Sequence, residues 1–241
     1  MLSKNFYNRI KYQIDKKAIT SVFYQFFIDR IKHPFTKFKK KELRDEHKVY
    51  LRNKKISADY FSINTYYWNL IINKNFKKLS YLEIGSWEGN SAMYILKNFK
   101  TTNVVCVDIW NKYNDKYENK NDQLQRFENF KYNLSEFRGR FSFFKDSSDE
   151  FFKNNHEKFD VIYVDGWHKA QQVYKDIINA WQVLRVDGII ICDDYFHGNL
   201  KNNSDKDLPA DSINKFLLER EKKLEILCVN NSQIFFKKIS D

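Results

Sequence analysis

The sequence predicts a doubly wound α/β fold: a mostly parallel sheet with an antiparallel edge strand, helices on both faces, and an N-terminal helical arm. Three observations carry this. From residue 79 onward short apolar runs alternate with helical patterns, and repeated strand–helix units build a parallel sheet. The first run ends in a glycine turn, Glu83-Ile-Gly-Ser-Trp-Glu-Gly89, that opens directly into a helical pattern. The last two runs flank Asn230-Asn231, a turn pair, so the chain closes in a hairpin that supplies the antiparallel strand.

The elements follow in order. Phe6, Ile10, Ile14, Ile19, Val22, Phe23, Phe26, Phe27 and Ile31 recur at three- and four-residue steps and predict an amphipathic helix, broken near Lys16 and ended by His33-Pro34. Residues 36–56 are highly charged and read as a linker or a solvated helix. Residues 60–75 read as a helix leading into the first strand. Strands are expected near 80–84, 103–108, 141–145, 160–165, 188–193, 224–229 and 232–238. Helices are expected near 90–99, 122–137, 148–154, 170–184 and 210–222. The polar segments 111–121 and 197–209 leave the carboxyl ends of strands, where open α/β sheets bind ligands, and are candidate substrate loops.

Charge divides the chain. Residues 1–56 carry 16 of the 42 Lys and Arg but 5 of the 31 Asp and Glu, so the whole net charge of +11 lies in this arm. Residues 57–241 are neutral and form the main domain, which argues against a nucleic-acid groove there. The basic, aromatic arm suits packing against the domain or a second subunit, or a peripheral membrane contact with Phe23, Phe26 and Phe27 in the bilayer. No apolar run is long enough to span a membrane, and the first residues lack a signal-peptide core, so a cytoplasmic location is expected. Cys106, Cys192 and Cys228 are far apart, without zinc spacing, and read as reduced thiols. His33, His47 and His156 read as surface residues.

The glycine turn selects a ligand. A dinucleotide fingerprint needs glycine at its middle position so the backbone can approach a pyrophosphate, and here Trp87 stands there. Glu83 puts a carboxylate where a pyrophosphate would be repelled. A ligand with a carboxylate and a cationic centre but no phosphate, such as S-adenosylmethionine, fits better. No P-loop motif occurs. Asp108 ends the second strand about 20 residues beyond the first glycine, the place for a carboxylate on ribose hydroxyls.

The fourth strand ends in Asp165-Gly-Trp-His168 and the fifth in Asp193-Asp194. Neighbouring strand ends bring these carboxylates together, and their repulsion calls for a cation between them, Mg²⁺ or another oxygen-coordinated divalent ion. The alternative is that they are strand-end caps. His168 has the ordinary pKa of a general base near neutral pH; His197 ranks behind it as a substrate-loop contact.

Glu83 to Ser91, Val107-Asp108, Lys145-Asp146-Ser147, Tyr163 to His168 and Cys192 to Tyr195 resemble the class I S-adenosylmethionine-dependent methyltransferases. The macrocin-type sugar O-methyltransferases are the subgroup they look most like. The resemblance covers roughly residues 60–240 and implies a seven-stranded Rossmann-like sheet. It puts Glu83, Gly85, Ser86 and Gly89, with Trp87 and Ser91 in the same loop, around the methionine moiety. Asp108 falls on the ribose, and Asp146 and Ser147 near the adenine. Asp165, Asp193 and Asp194 become metal ligands, with Asp165 also at the cofactor and in catalysis, and His168 the base. The implied acceptor is a small-molecule hydroxyl, a sugar by this likeness. The rival readings are a non-catalytic S-adenosylmethionine-binding or assembly protein, and a metal-independent methyltransferase.

Overall fold

The computed structural model describes residues 4–110, 120–197, 207–230 and 232–241. Seven strands form one sheet: β1 (Leu79–Ile84), β2 (Thr101–Asp108), β3 (Ser142–Lys145), β4 (Phe159–Val164), β5 (Leu184–Cys192), β6 (Leu224–Val229) and β7 (Ile234–Lys238). Their order is β3-β2-β1-β4-β5-β7-β6. β1–β2 and β2–β3 are parallel, whereas β7 is antiparallel to both β5 and β6. The hairpin therefore inserts its last strand beside β5 and leaves β6 at the edge.

The chain divides into two compact units, Phe35–Phe159 and Met1–Pro34 with Asp160–Asp241. In the central unit, α3 (Thr65–Asn75), α4 (Asn90–Asn98), α5 (Lys120–Asn133) and α6 (Ser148–Asn154) accompany β1 to β3. β1 is buried along its whole length, as its unbroken apolar run requires. Trp68, Tyr81, Leu82, Met93, Ile95, Val104 and Phe130 form this unit's core. Ser147 caps α6 by accepting a hydrogen bond from the Glu150 N–H at 3.2 Å, with Asp149 and Glu150 in the first turn.

The other unit holds α1 (Lys4–Asp15), α7 (Ala170–Val183), α8 (Pro209–Glu219), β5 to β7 and nearly all of β4. Its core includes Tyr12, Phe26, Ile162, Ile177, Ile190, Phe216, Phe235 and Phe236. The arm is integral to it. Lys16 pairs with Asp211 at 2.8 Å, and the Asn214 side chain donates to the Lys16 carbonyl at 2.9 Å. Phe26 and Tyr12 pack on Phe196, with ring centroids 5.5 and 5.7 Å apart.

The break near Lys16 is present, with Lys17 at φ 54° between α1 and the next helix. The end expected at Pro34 is not. α2 runs from Thr20 to Leu51 with Pro34 inside it. Proline removes one helical N–H and crowds the preceding turn, but residues 31–35 all face solvent, where water can replace the lost bond. The charged stretch after Pro34 is thus a solvated helix. His47, expected at the surface, is buried instead. Its Nε2 lies 2.7 Å from Asn90 Oδ1, its ring contacts Phe61 and Tyr94, and burial lowers its pKa. Cys106 and Cys192 are buried free thiols and Cys228 is half-buried. Asn231 and most of both candidate substrate loops, 111–119 and 198–206, lie outside the described residues.

Candidate functional site

In the central unit β1 delivers Glu83 into the glycine turn. Gly85 (φ 89°) and Gly89 (φ 79°) take left-handed conformations that open the loop. A larger residue at Gly89 is disfavoured twice, because its backbone is left-handed and a Cβ would fall 2.3 Å from Leu134 Cδ1, which would have to move. Glu88 braces the loop from beneath, accepting from the Ser57 N–H at 2.6 Å and the Asn129 side chain at 2.7 Å.

Glu83 is fully buried and accepts a hydrogen bond from the Ser91 hydroxyl. Burial pushes its pKa up to about 8, although the Ser91 and Ser86 hydroxyls pull it down. The carboxyl therefore keeps its proton at neutral pH, and the repulsion of a pyrophosphate expected from the sequence is weaker than its formal charge suggests. Glu83 Oε2 and Ser86 Oγ are buried without a hydrogen-bond partner of proper geometry. Such groups are costly to leave unmet, and they suit a polar ligand head in the turn.

Asp108 ends β2 and ties the loop together. Its Oδ2 accepts from the Trp87 N–H and its Oδ1 from the Trp110 N–H, both at 2.8 Å. Trp87 and Trp110 have φ of 48° and 40°, so one carboxylate holds two bulky residues in left-handed backbone. The indole N–H of Trp110 donates to the Trp87 carbonyl at 2.8 Å, and the Arg126 guanidinium lies 3.7 Å over the Trp87 ring. Trp110, Phe127, Phe130 and Phe143 form an aromatic cluster beside Asp108. The Asp146 carboxylate accepts from the Ser147 N–H at 2.7 Å, so this pair shapes the turn into α6.

The second constellation lies in the other unit. The Asp193 N–H donates to the Val164 carbonyl at 3.0 Å, joining the ends of β4 and β5. Tyr163 then stands between two carboxylates: its hydroxyl is 2.8 Å from Asp165 Oδ2 and also hydrogen-bonded to Asp193 Oδ2. Gln233 donates to Asp193 Oδ2 at 2.8 Å. Burial and the Asp194 charge raise the Asp193 pKa, and burial between two acids raises that of Tyr163.

Asp194 (φ 54°) turns the other way. Its Oδ2 is 2.8 Å from His168 Nε2 and its Oδ1 is 3.6 Å from His197 Nδ1. Burial works against its charge, but the two histidines hold its pKa below the ordinary value. The hydrogen bond that His168 donates to Asp194 raises the His168 pKa despite burial. Asp165 Oδ1 lies 4.0 Å from His168 Nε2. Among the described residues His168, Asp194 and His197 form a group of metal-capable side chains, their ligand atoms within 4.8 Å of one another, and Asp165 and Asp193 are not part of it. The Tyr12 hydroxyl donates to the His197 carbonyl at 3.1 Å, so the arm supports this turn.

Sequence reasoning missed Tyr163, Gln233, Trp110 and Tyr12. Tyr163 was hidden inside an apolar strand run. Gln233 is a polar residue opening an apolar strand, a pattern that could have marked it.

Residues 82–195, just under half of the chain, match a family model described as a methyltransferase domain. The fold is that of known methyltransferase structures. An O-methyltransferase from Bacillus cereus, in complex with SAH, has 14% identity and a TM-score of 0.57, covering 90% of this chain and 99% of that one. The O-methyltransferase TomG from Streptomyces achromogenes, in complex with SAM, has 12% identity and a TM-score of 0.56, covering 92% and 100%. An rRNA methylase from Streptococcus thermophilus has 10% identity and a TM-score of 0.51, covering 73% and 96%. No curated protein matches the chain. Residues 82–195 thus match a methyltransferase domain model, and the chain has the Rossmann-like fold of these methyltransferase structures. Because the neighbours include both O-methyltransferases and an rRNA methylase, the fold alone does not choose the acceptor.

Proposed function

We propose that the chain is an S-adenosylmethionine-dependent O-methyltransferase acting on a small-molecule hydroxyl, a sugar or glycosylated compound by the subgroup its motifs resemble. One observation supports this above the others: the glycine turn holds two buried polar atoms without a well-formed hydrogen bond, Glu83 Oε2 and Ser86 Oγ, and its loop is fixed by the Asp108 carboxylate. The O-methyltransferase neighbours, one with SAH and one with SAM, agree with the same donor and with a hydroxyl acceptor. In this reading Glu83, Gly85, Ser86, Trp87, Gly89 and Ser91 receive the methionine end of the donor. Asp108 receives the ribose hydroxyls through the lone pairs its two N–H bonds leave. Asp146 and Ser147 border the adenine.

Asp165, Asp193 and Asp194 offer the hard oxygens that Mg²⁺ prefers, so their chemistry fits that ion, although Asp193 would exchange a hydrogen bond for it. When bound, the ion supplies Lewis acidity that favours ionisation of the acceptor hydroxyl. His168, whose Nε2–H donates to Asp194, accepts the hydroxyl proton at Nδ1, and Asp194 orients the ring and stabilises the imidazolium that forms. Tyr163 and Gln233 keep Asp193 in place. The methyl group leaves the donor sulfur as the new oxygen–carbon bond forms, and the sulfur regains its lone pair. Calorimetric titration with S-adenosylmethionine, with and without Mg²⁺, followed by detection of S-adenosylhomocysteine with sugar acceptors, tests the reading. Absence of donor binding would end it. A cytoplasmic location belongs to the same proposal.

A further inference from the structure

Helix α2 carries an apolar stripe that the fold leaves in solvent. Tyr24, Phe27, Ile31, Phe35 and Phe38 are all exposed, Phe35 at 85% and Phe38 at 74%. At 3.6 residues per turn they fall within an arc of about 80° along one side of the helix. Single exposed apolar side chains are ordinary, but large ones in register over several turns mark an interaction face. The opposite side of the helix is already used: Phe26 and Val22 are fully buried. Phe26, which the membrane alternative put in the bilayer with Phe23 and Phe27, is therefore committed to the protein core and cannot be the anchor.

Basic residues border the stripe. On the same wheel Lys32 and Lys39 fall on one flank and Lys41 on the other, and residues 30–41 contain no acid. Lys39 and Lys41 pair with Glu42 and Asp45, but these are exposed contacts within the helix and exchange readily for other anions. A second copy pressed on this face would bring two basic stretches together, which their repulsion opposes. An anionic phospholipid surface satisfies both features. No described helix is long and apolar enough to cross a membrane, so the contact lies in the plane of the interface.

We infer that α2 docks the protein peripherally on an anionic membrane, with Tyr24, Phe27, Ile31, Phe35 and Phe38 at the acyl boundary and the flanking lysines at headgroup level. The test is co-sedimentation of the full chain with vesicles of phosphatidylcholine alone or with added phosphatidylserine, at low and high salt. Wild-type protein should pellet with the anionic vesicles at low salt and be released by high salt. Phe35→Ser with Phe38→Ser should lower the partition about tenfold or more, with an unchanged circular dichroism spectrum. Lys39→Glu with Lys41→Glu should weaken anionic but not neutral binding. Failure to pellet with anionic vesicles at low salt overturns the inference, as does a Phe35/Phe38 variant that pellets like wild type. A wild-type dimer that this variant abolishes, without vesicle binding, also overturns it and assigns the stripe to a second copy.

Discussion

Replacing Asp108 with alanine separates two roles that the structure superimposes. The carboxylate accepts N–H bonds from Trp87 and Trp110, both held at positive φ. A hydrogen bond to a charged group contributes about 1.5–3 kcal/mol, and the partial exposure of Asp108 puts each bond near the lower figure. Left-handed backbone at a bulky residue costs about 1–2 kcal/mol, so the bonds roughly offset the strain they maintain. In Asp108→Ala the turn should relax. If Asp108 also meets the ribose, the Kd for S-adenosylmethionine should rise about 10- to 100-fold, or about 1.5–3 kcal/mol. Asp108→Asn, which keeps one acceptor oxygen, should recover part of this. Calorimetry gives the affinity and urea unfolding gives the stability of the same preparations. Lower stability with unchanged Kd would leave Asp108 as a turn former and refute its place at the ribose.

Gly89→Ala should lower stability by about 2–4 kcal/mol in urea unfolding, since the added Cβ clashes with Leu134 at a left-handed position. His168→Ala should reduce kcat by about 10²–10⁴-fold with little change in donor affinity, and a loss below about tenfold would remove it as the base. His168 must be unprotonated to act and Asp194 raises its pKa, so activity should fall with acid through a limb above the ordinary imidazole value. Asp194→Asn should move that limb to lower pH, which a kcat–pH profile reads directly. EDTA should abolish turnover and Mg²⁺ restore it, with Asp193→Asn inactive but still binding S-adenosylmethionine; full activity in chelator would favour the metal-independent reading.

Most strands were legible because their apolar runs are continuous and their ends carry Gly, Asp or Asn. β1 was expected at 80–84 and spans Leu79–Ile84; α6 was expected at 148–154 and spans Ser148–Asn154. Pro34 misled because the usual rule assumes a helix end that must be satisfied locally, whereas here the helix surface faces water. His47 misled because burial of one polar residue depends on a distant partner, Asn90, that no local pattern reveals. The site shows the same division. Residues on the motif loops were readable, but their pairing was not. Asp194 was expected with Asp165 and Asp193 at a cation, and nothing in that expectation revealed that its carboxylate also reaches His168 and His197. Tyr163 relieves the repulsion between the other two carboxylates, a role that a single strand position in a sequence does not announce.

Glu83 offers a last test, because burying its carboxyl raises its pKa at a cost to stability. Its pKa is near 8 in the folded protein against 4.5 in the unfolded chain. Below pH 4.5 both states hold the proton and the group is neutral in its effect. Between pH 4.5 and 8 the unfolded chain releases the proton and the folded protein keeps it, so stability falls as pH rises; above pH 8 the loss levels off. At neutral pH the accumulated penalty is about 3 kcal/mol, from 1.36 kcal/mol per pH unit. Glu83→Gln cannot ionise and keeps an oxygen for the Ser91 hydroxyl. Without donor it should therefore be more stable than wild type at neutral pH by up to about 3 kcal/mol, with the difference shrinking to nothing as pH approaches 4.5. The same variant should bind S-adenosylmethionine more weakly, because it lacks the charge that can meet a cationic head. Wild-type binding near neutral pH should release a proton as Glu83 ionises, visible as a calorimetric heat that varies with the ionisation enthalpy of the buffer. A Glu83→Gln variant with unchanged donor affinity and no pH-dependent gain in stability would show that the carboxyl is an ordinary buried polar group, and the glycine turn would lose its strongest claim to the methionine end of the donor.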